Sequence, residues 1–145
     1  MTLPMEAPNK AELPGGVEIS YWTAEDVQAR LARAAETLRA LRVSGMRPGG
    51  HRNTWPDVVQ DFWDAYGDNE KEPRRGTPSS RAIDEMDEVI GWLFWLDDRN
   101  ARIVVWGKAM GIKTGKIADR LGVHRETARR WYREAVEIVL RRLNA

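Results

Sequence analysis

The sequence predicts an all-α fold of about six helices, and three observations support this prediction. Apolar residues recur at the three- and four-residue spacing of a helix face in several segments. Stretches rich in glycine, proline and polar residues separate these segments. No segment alternates apolar and polar residues for long enough to indicate a strand. We therefore expect layers of helices packed around a shared apolar core.

Residues 1–20 are rich in proline, glycine and glutamate and show no period, so we expect a flexible N-terminal arm. They also lack the basic segment and apolar core of a signal peptide. The longest apolar run, residues 89–96, is far shorter than the roughly 20 residues that span a bilayer. The chain contains no cysteine. These features predict a cytoplasmic protein with no membrane partner.

The first helix is predicted to begin at Thr23, whose hydroxyl can cap a helix that carries Asp26 three residues later. Its apolar residues follow at heptad-like spacing: Val27, Leu31, Ala34, Leu38 and Leu41. Three glycines and a proline in residues 43–54 end it. A shorter helix is predicted from about Asp57 to Tyr66, after a proline that suits a first turn. Its apolar side is expected to hold Val58, Val59, Phe62, Trp63 and Tyr66.

The third helix is predicted over about Arg81 to Trp95. Its apolar residues should face one way: Ile83, Met86, Val89, Ile90, Leu93 and Phe94. Its acidic residues should face water: Asp84, Glu85, Asp87 and Glu88. A metal cluster on these acids is the less favoured interpretation. A fourth helix is predicted over Arg102 to Met110, and two more follow it.

Seven tryptophans are an unusually large number for a chain of 145 residues. Five of them lie on apolar helical positions: Trp63, Trp92, Trp95, Trp106 and Trp131. Core packing is therefore favoured over base stacking. The glycine-rich residues 48–52 and the pair Arg74 and Arg75 could contact phosphate, but plain connectors are the favoured interpretation because no P-loop ending follows.

Charge is unevenly distributed along the chain. Residues 1–100 carry 12 basic and 18 acidic side chains, a net charge of −6, whereas residues 101–145 carry 11 basic and 4 acidic ones, a net charge of +7. A basic terminal third is typical of a nucleic-acid partner, although a solvated basic helix would give the same counts. We predict an acidic helical region at residues 21–98, for association or partner contact, and a separate basic module at residues 99–145.

Residues 114–133 match the template of a helix-turn-helix. The small residue Ala118 falls where the two helices cross, and Gly122 falls in the tight turn. The apolar positions that hold the second helix on the first are also filled: Ile117, Leu121, Val123, Ala128 and Trp131. This match favours a DNA-binding motif with a long second helix over a solvated helical hairpin.

The second helix of the motif has a charged face opposite its apolar side. Five residues fall within about 140° of arc at 100° per residue: Arg125, Glu126, Arg129, Arg130 and Arg133. An arginine can bind guanine through two hydrogen bonds, and a glutamate can accept one from cytosine. Arginines stacked one turn apart repel one another unless an anion relieves the repulsion. The face is therefore predicted to bind DNA.

The stretch GIKTGKIADRLGVHRETARRWYREAVEIVLRRL resembles region 4 of sigma-70-type factors and the related motif of phage and response regulators, over about residues 99–143. The shared pattern is an Arg-Glu pair after the turn, an arginine four residues after the first arginine, and a helix with alanine and leucine that runs to the end. The resemblance implies base contacts from Arg125, Glu126 and Arg130, with Arg129 reading a base or holding phosphate. The sequence departs from the pattern at His124, which replaces a Ser or Thr and should weaken the cap. The upstream residues contain no promoter-melting region, so a complete sigma factor is not expected.

Contacts to the DNA backbone are expected from residues that flank the base-reading positions. These residues are Lys113, Thr114, Lys116, His124, Thr127 and Arg133. The whole chain also resembles a family of small phage- and prophage-encoded proteins of unknown function, through YWTAEDV, TWPDVVQDFWDAYG and RAIDEMDEVIGWLFWL.

The last helix is apolar on two sides beyond Arg133. Val136, Leu140 and Leu143 continue the direction of the arginine face. They are either clasped by the N-terminal helices or form a self-association seam, and we favour the seam, hence a homodimer or higher homo-oligomer.

These features predict a protein that binds double-stranded DNA sequence-specifically, most simply a phage-type transcriptional regulator that docks its second helix in the major groove. The alternative is a DNA-packaging recognition subunit resembling a small terminase subunit. RNA polymerase is a further candidate partner. His51 and His124 are the only histidines, and no triad or paired acid and base is recognisable, so we expect no enzyme activity, cofactor or metal.

Overall fold

A computed structural model describes residues 21–43, 54–65 and 76–145. Over these residues the chain forms α1 (Ala24–Val43), α2 (Asp57–Ala65), α3 (Ser80–Gly91), α4 (Arg99–Ala109), α5 (Thr114–Leu121) and α6 (Arg125–Leu143). A 3-10 turn, Trp92–Trp95, follows α3. No strand occurs within these three ranges, and the predicted all-α fold of six helices is confirmed. Several predicted features lie outside the described residues. They are the N-terminal arm at residues 1–20, the glycine-rich residues 48–52, Tyr66, and the pair Arg74 and Arg75.

The first helix begins as the sequence predicts. The Thr23 backbone N–H donates to Asp26 Oδ2 at 2.8 Å, and the Asp26 N–H donates to Thr23 Oγ1 at 3.2 Å. This reciprocal pair satisfies donors that the first turn of a helix otherwise leaves unpaired. The predicted apolar stripe is buried at all five positions, Val27, Leu31, Ala34, Leu38 and Leu41. Local spacing was therefore sufficient to orient α1.

The third helix differs from its prediction at its C-terminal end. The α-helix stops at Gly91, and the backbone tightens into the 3-10 turn. Because a 3-10 helix has about three residues per turn, the side chains no longer follow the α-helical period. Leu93 stays buried, whereas Phe94 is 50% exposed. The expectation that Phe94 faces the core is therefore wrong.

Two of the four acidic residues on α3 contact neighbouring elements instead of facing water alone. Glu85 Oε1 accepts from Arg30 at 2.7 Å and from Arg33 at 3.1 Å, both on α1. Asp87 Oδ1 accepts from the Trp55 indole N–H at 3.3 Å. Asp84 and Glu88 are exposed, as predicted. The acidic side of α3 is thus partly used to hold α1 and the entry to α2.

The fourth helix begins three residues before its predicted start. Asp98 caps it by accepting from the Asn100 N–H at 3.0 Å. Trp106, near the centre of the core, is fully buried, and α4 packs against α1, α2, α5 and α6. Trp63 and Trp92 are also buried, while Trp95 and Trp131 are half-buried. Core packing is confirmed for Trp63, Trp92 and Trp106, and Trp95 and Trp131 pack against the same core while partly exposed.

The last helix packs against the N-terminal region over its C-terminal half. Val136 and Leu143 are each 4% exposed, and α6 contacts both α1 and the 3-10 turn. Of the two interpretations given for these residues, the clasp by N-terminal elements is the one observed, so Val136 and Leu143 do not form an exposed seam. One apolar core runs across the predicted boundary between residues 98 and 99. Within the described ranges, no helix combines the length and hydropathy needed to cross a membrane.

Candidate nucleic-acid interface

The tight turn between α5 and α6 has the geometry that the sequence predicts for Gly122. This residue ends α5 with φ +70°, a left-handed conformation that glycine adopts without steric cost. The Val123 N–H donates to Ala118 O at 3.0 Å across the turn. Ala118 and Ala128 are both buried, and α5 packs against α6. The two helices are therefore held at a defined angle by a short, hydrogen-bonded connection.

A second glycine, which the sequence did not single out, seats α5 on α4. A Cβ placed on Gly107 would lie 3.0 Å from Ile117 Cδ1, closer than side-chain carbons normally approach. Ile117 therefore occupies the space that any larger residue at 107 would fill. No local pattern marks Gly107, because its contact partner is ten residues away on another helix.

The start of α6 is capped by an imidazole. His124 Nδ1 accepts a hydrogen bond from the Glu126 backbone N–H at 3.1 Å. His124 therefore does form the cap, with its ring nitrogen as the acceptor that a Ser or Thr hydroxyl would supply, and the expectation that this cap is weaker stays a prediction. With Nδ1 accepting, Nε2 carries the proton of the neutral ring and is left as a donor. His124 is exposed, so this donor is accessible.

The predicted charged face of α6 is exposed at every position. Its members are Arg125, Glu126, Arg129, Arg130 and Arg133. Beyond residue 134, the part of this side that continues from Arg125 is covered, as the burial of Val136 and Leu143 shows, whereas Glu137 and Arg141 remain exposed. The exposed cationic segment therefore spans about ten residues, or about 15 Å of helix.

Two ion pairs lie on this face. Glu126 pairs with Arg129 one turn later, and Arg130 Nε lies 3.7 Å from Glu134 Oε1. Glu126 thus relieves part of the repulsion that the sequence suggested among the stacked arginines. All four side chains are more than half exposed, so each pair contributes little to stability. What the Glu126 pair does is restrict where the Arg129 guanidinium lies.

The residues predicted to contact the DNA backbone divide into two groups. Lys113, Lys116, His124 and Arg133 are exposed, while Thr114 and Thr127 are half-buried. Lys113, Thr114 and Lys116 lie together at the start of α5. Thr114 Oγ1 accepts a hydrogen bond from Lys108 Nζ at 3.2 Å. Lys108, on α4, is a cation of this surface that the motif did not reveal.

Comparison with known proteins gives one family. A family model described as "Domain of unknown function (DUF6362)" matches residues 41–139. The chain belongs to this family. No curated protein and no solved structure matches it. The matched residues of the DUF6362 domain run from the end of α1 into α6, and they include the whole charged face, from Arg125 to Arg133.

Tyr132 lies on the DUF6362 helix α6 between its buried and charged sides. It is half-buried, and burial raises the pKa of its phenol above the ordinary value of tyrosine. The Lys108 ammonium lies 5.8 Å from the centroid of its ring. Lys108, Thr114 and Tyr132 therefore join α4, α5 and α6 at one edge of the charged face.

Among the described residues of this DUF6362 chain, no group of three or more His, Asp or Glu side chains is arranged to hold a metal ion. The acids of the charged face are instead engaged with arginines, as the pairing of Glu126 with Arg129 illustrates. The chemistry that the surface offers is hydrogen-bond donation by guanidinium and ammonium groups.

Proposed function

We propose that this protein binds double-stranded DNA sequence-specifically and acts in the cytoplasm as a phage-type transcriptional regulator. The observation that carries the proposal is the exposed arginine-rich first half of α6, held against α5 by a tight turn at Gly122. Arginine side chains that cluster on one side of a protruding helix form the electrostatic footprint of a nucleic-acid partner.

The dimensions of the exposed segment suit the major groove. The groove is about 12 Å wide and admits one α-helix, and a helix with its side chains is about 10–12 Å across. About 15 Å of exposed charged helix is enough to cross a groove once. One copy of the chain can therefore read a single half-site.

Within this docking, residues of α5 and α6 take two roles. Base contacts are assigned to Arg125, Glu126, Arg129 and Arg130. Backbone contacts are assigned to Lys113, Thr114, Lys116, His124, Thr127 and Arg133. The exposure of the first set, and the position of the second set apart from Arg133 at the starts of α5 and α6, support this division.

A single half-site gives limited specificity, so we propose that the protein binds DNA as a homodimer or a higher homo-oligomer. With Val136 and Leu143 buried inside the chain, the contact between copies lies elsewhere on the surface, and Ile138, which is 40% exposed, is one apolar residue available for it. The acidic N-terminal helices are the candidate surface for RNA polymerase.

The test is a selection of bound duplexes from a random pool at low and at raised salt, followed by sequencing. Salt weakens phosphate contacts, whereas base contacts keep their sequence preference. A motif that survives raised salt supports a sequence-reading protein, and a palindrome or repeat supports two copies. Binding that disappears with salt and leaves no motif overturns sequence-specific recognition.

Light scattering on the same preparation separates the regulator from the alternative, a DNA-packaging recognition subunit. A dimer supports regulation. A closed ring of many subunits supports packaging, in which the same α6 surface would face DNA from several copies.

A further inference from the structure

Two cations from different helices contact the first turn of α5. Lys108, on α4, donates to Thr114 Oγ1 at 3.2 Å. Arg125, the first residue of α6, lies against the next residue, since a Cβ placed on Gly115 would be 3.8 Å from Arg125 Nε. Thr114 and Gly115 are adjacent, so both cations lie beside the same turn.

Each of these cations is placed by a specific contact. Lys108 is half-buried, with its ammonium above the Tyr132 ring at 5.8 Å from the centroid, a distance at which a cation and an aromatic ring attract. Arg125 lies over α5 beside Gly115, where a Cβ would be in ordinary van der Waals contact with Arg125 Nε. An arginine in this position extends along the motif, toward the flank of the surface that faces DNA.

Neither cation forms an ion pair with a carboxylate in the described part of the chain, although Asp119 lines the same pocket as Gly115 and Arg125. The ion pairs of α6 involve Arg129, Arg130 and Arg141 and leave Arg125 without one, and Lys108 forms none with the acids described. Both cations attract an anion placed beside this turn. A DNA phosphate is the anion that the proposed partner supplies at such a flank.

We propose that Lys108 and Arg125 together bind DNA phosphates beside the first turn of α5, so that Arg125 holds the backbone instead of reading a base. This inference rests on the proposed function and refines it. It adds Lys108 to the interface and leaves sequence reading to Arg129 and Arg130, whose side chains lie further along the exposed face of α6.

The experiment measures binding of Lys108→Gln and Arg125→Gln to two duplexes, the selected site and a scrambled one, across a salt series. Arg81→Gln is the matched control, because it removes one exposed charge from α3, which packs on α1 and the 3-10 turn. Each test variant should weaken both duplexes by the same factor. Each should also reduce the slope of log affinity against log salt by about 0.9.

The slope change can be measured directly as a change in relative affinity between about 50 mM and about 200 mM salt. The advantage of the wild-type protein over each variant should shrink by about 3.5-fold, the fourfold salt change raised to the power of about 0.9. Arg81→Gln should keep the wild-type slope, and so should Lys108→Arg, which retains the charge. Thermal unfolding of each variant checks the fold. Arg125 is exposed, so Arg125→Gln tests the phosphate contact even if Lys108→Gln does not fold.

Two results overturn the inference while the proposed function stands. An Arg125→Gln protein that changes its preferred base at one position, with an unchanged salt slope, would make Arg125 a base reader. A folded Lys108→Gln protein that behaves like Arg81→Gln would give Lys108 a structural role only. If the wild-type chain binds neither duplex at low salt, the proposed function itself fails, and the proposed phosphate binding by Lys108 and Arg125 fails with it.

Discussion

The backbone of Trp22 and the side-chain amide of Asn144 exchange two hydrogen bonds across 122 positions of sequence, each 2.9 Å long. The Trp22 N–H donates to Asn144 Oδ1, and Asn144 Nδ2 donates to the Trp22 carbonyl. The pair ties Trp22, two residues before α1, to the residue that ends α6. The C-terminal end of α6 is thereby anchored on the N-terminal region, while its first turns project the arginines.

Replacing Asn144 with Ala should destabilise the fold by about 1 to 3 kcal/mol, because a part-buried N–H and carbonyl both lose their partner. Urea unfolding followed by circular dichroism measures this loss. Arg141→Ala, a change at an exposed neighbour, should alter stability by no more than about 0.5 kcal/mol. Equal unfolding midpoints for Asn144→Ala and the wild type would show that the anchor contributes nothing.

The imidazole cap at the start of α6 should contribute measurably to stability. His124→Ala removes the acceptor of the Glu126 N–H and should cost about 0.5 to 2 kcal/mol, the usual effect of losing an N-cap. His124→Asn offers a side-chain oxygen at the same place and should recover most of the loss. Urea unfolding of the two variants gives the comparison, and an Asn variant as unstable as the Ala variant would count against the cap.

Glu126 should influence sequence preference through Arg129. Glu126→Gln weakens the pair that restricts the Arg129 guanidinium, so the preference at one base position should broaden, and loss of the carboxylate assigned to a base contact should broaden a second position. Selection from a random pool measures both effects. Glu137→Gln, the matched control, removes the same charge from α6 at a pair beyond the interface and should leave the preferred sequence unchanged. An unaltered motif from Glu126→Gln would refute the role.

Arg130 should read one base of the preferred site. Arg130→Ala should weaken binding to that site by about 1 to 3 kcal/mol and relax a single position. Arg141→Ala is again a suitable comparison, because Arg141 lies in nearly the same direction around α6, three turns further along, and also pairs with a glutamate four residues away. Fluorescence anisotropy with a set of single-base variants of the site measures the effect. Uniform weakening on every duplex would instead assign Arg130 to phosphate.

Tyr132 should make stability depend on pH in alkaline solution. Burial raises its pKa, whereas in the unfolded chain the phenol ionises near pH 10, its ordinary value. Between the two pKa values unfolding releases a proton, so rising pH favours the unfolded state. The contribution is fully present below about pH 10 and is lost as pH rises through the folded pKa.

The comparison for this effect is between the wild type and Tyr132→Phe, which keeps the ring beneath Lys108. The unfolding free energies of both proteins are measured at about pH 9 and about pH 11. The wild type should lose more stability than the variant over this interval. Parallel losses would show that Tyr132 is not the titrating group.

Features that depend on neighbouring residues were predictable. The cap formed by Thr23 and Asp26, the buried stripe of α1 and the turn at Gly122 all involve residues a few positions apart. Their geometry follows from helical periodicity and from the conformational freedom of glycine. The exposure of Arg129 and Arg130 follows from the same periodicity.

Features that depend on distant residues or on a change of backbone geometry were not predictable. Phe94 is exposed because α3 tightens into a 3-10 turn, and no local residue marks that change. Lys108 joins the charged surface because α4 brings it to Thr114. The pairing of Glu126 with Arg129 depends on side-chain rotamers, which a pattern of charges does not specify.

The second half of α6 shows where local information ends. Periodicity established that Val136 and Leu143 are apolar and point in the direction of the arginines, and either a clasp or a seam between copies would bury them. Only the packing of α1 and the 3-10 turn against α6 distinguishes the two, because burial of an apolar face requires a partner whose position is set by the whole chain. The hydrophobic effect is not directional, so the sequence determines that these apolar residues favour burial but not what buries them. The tertiary structure determines which surface covers them.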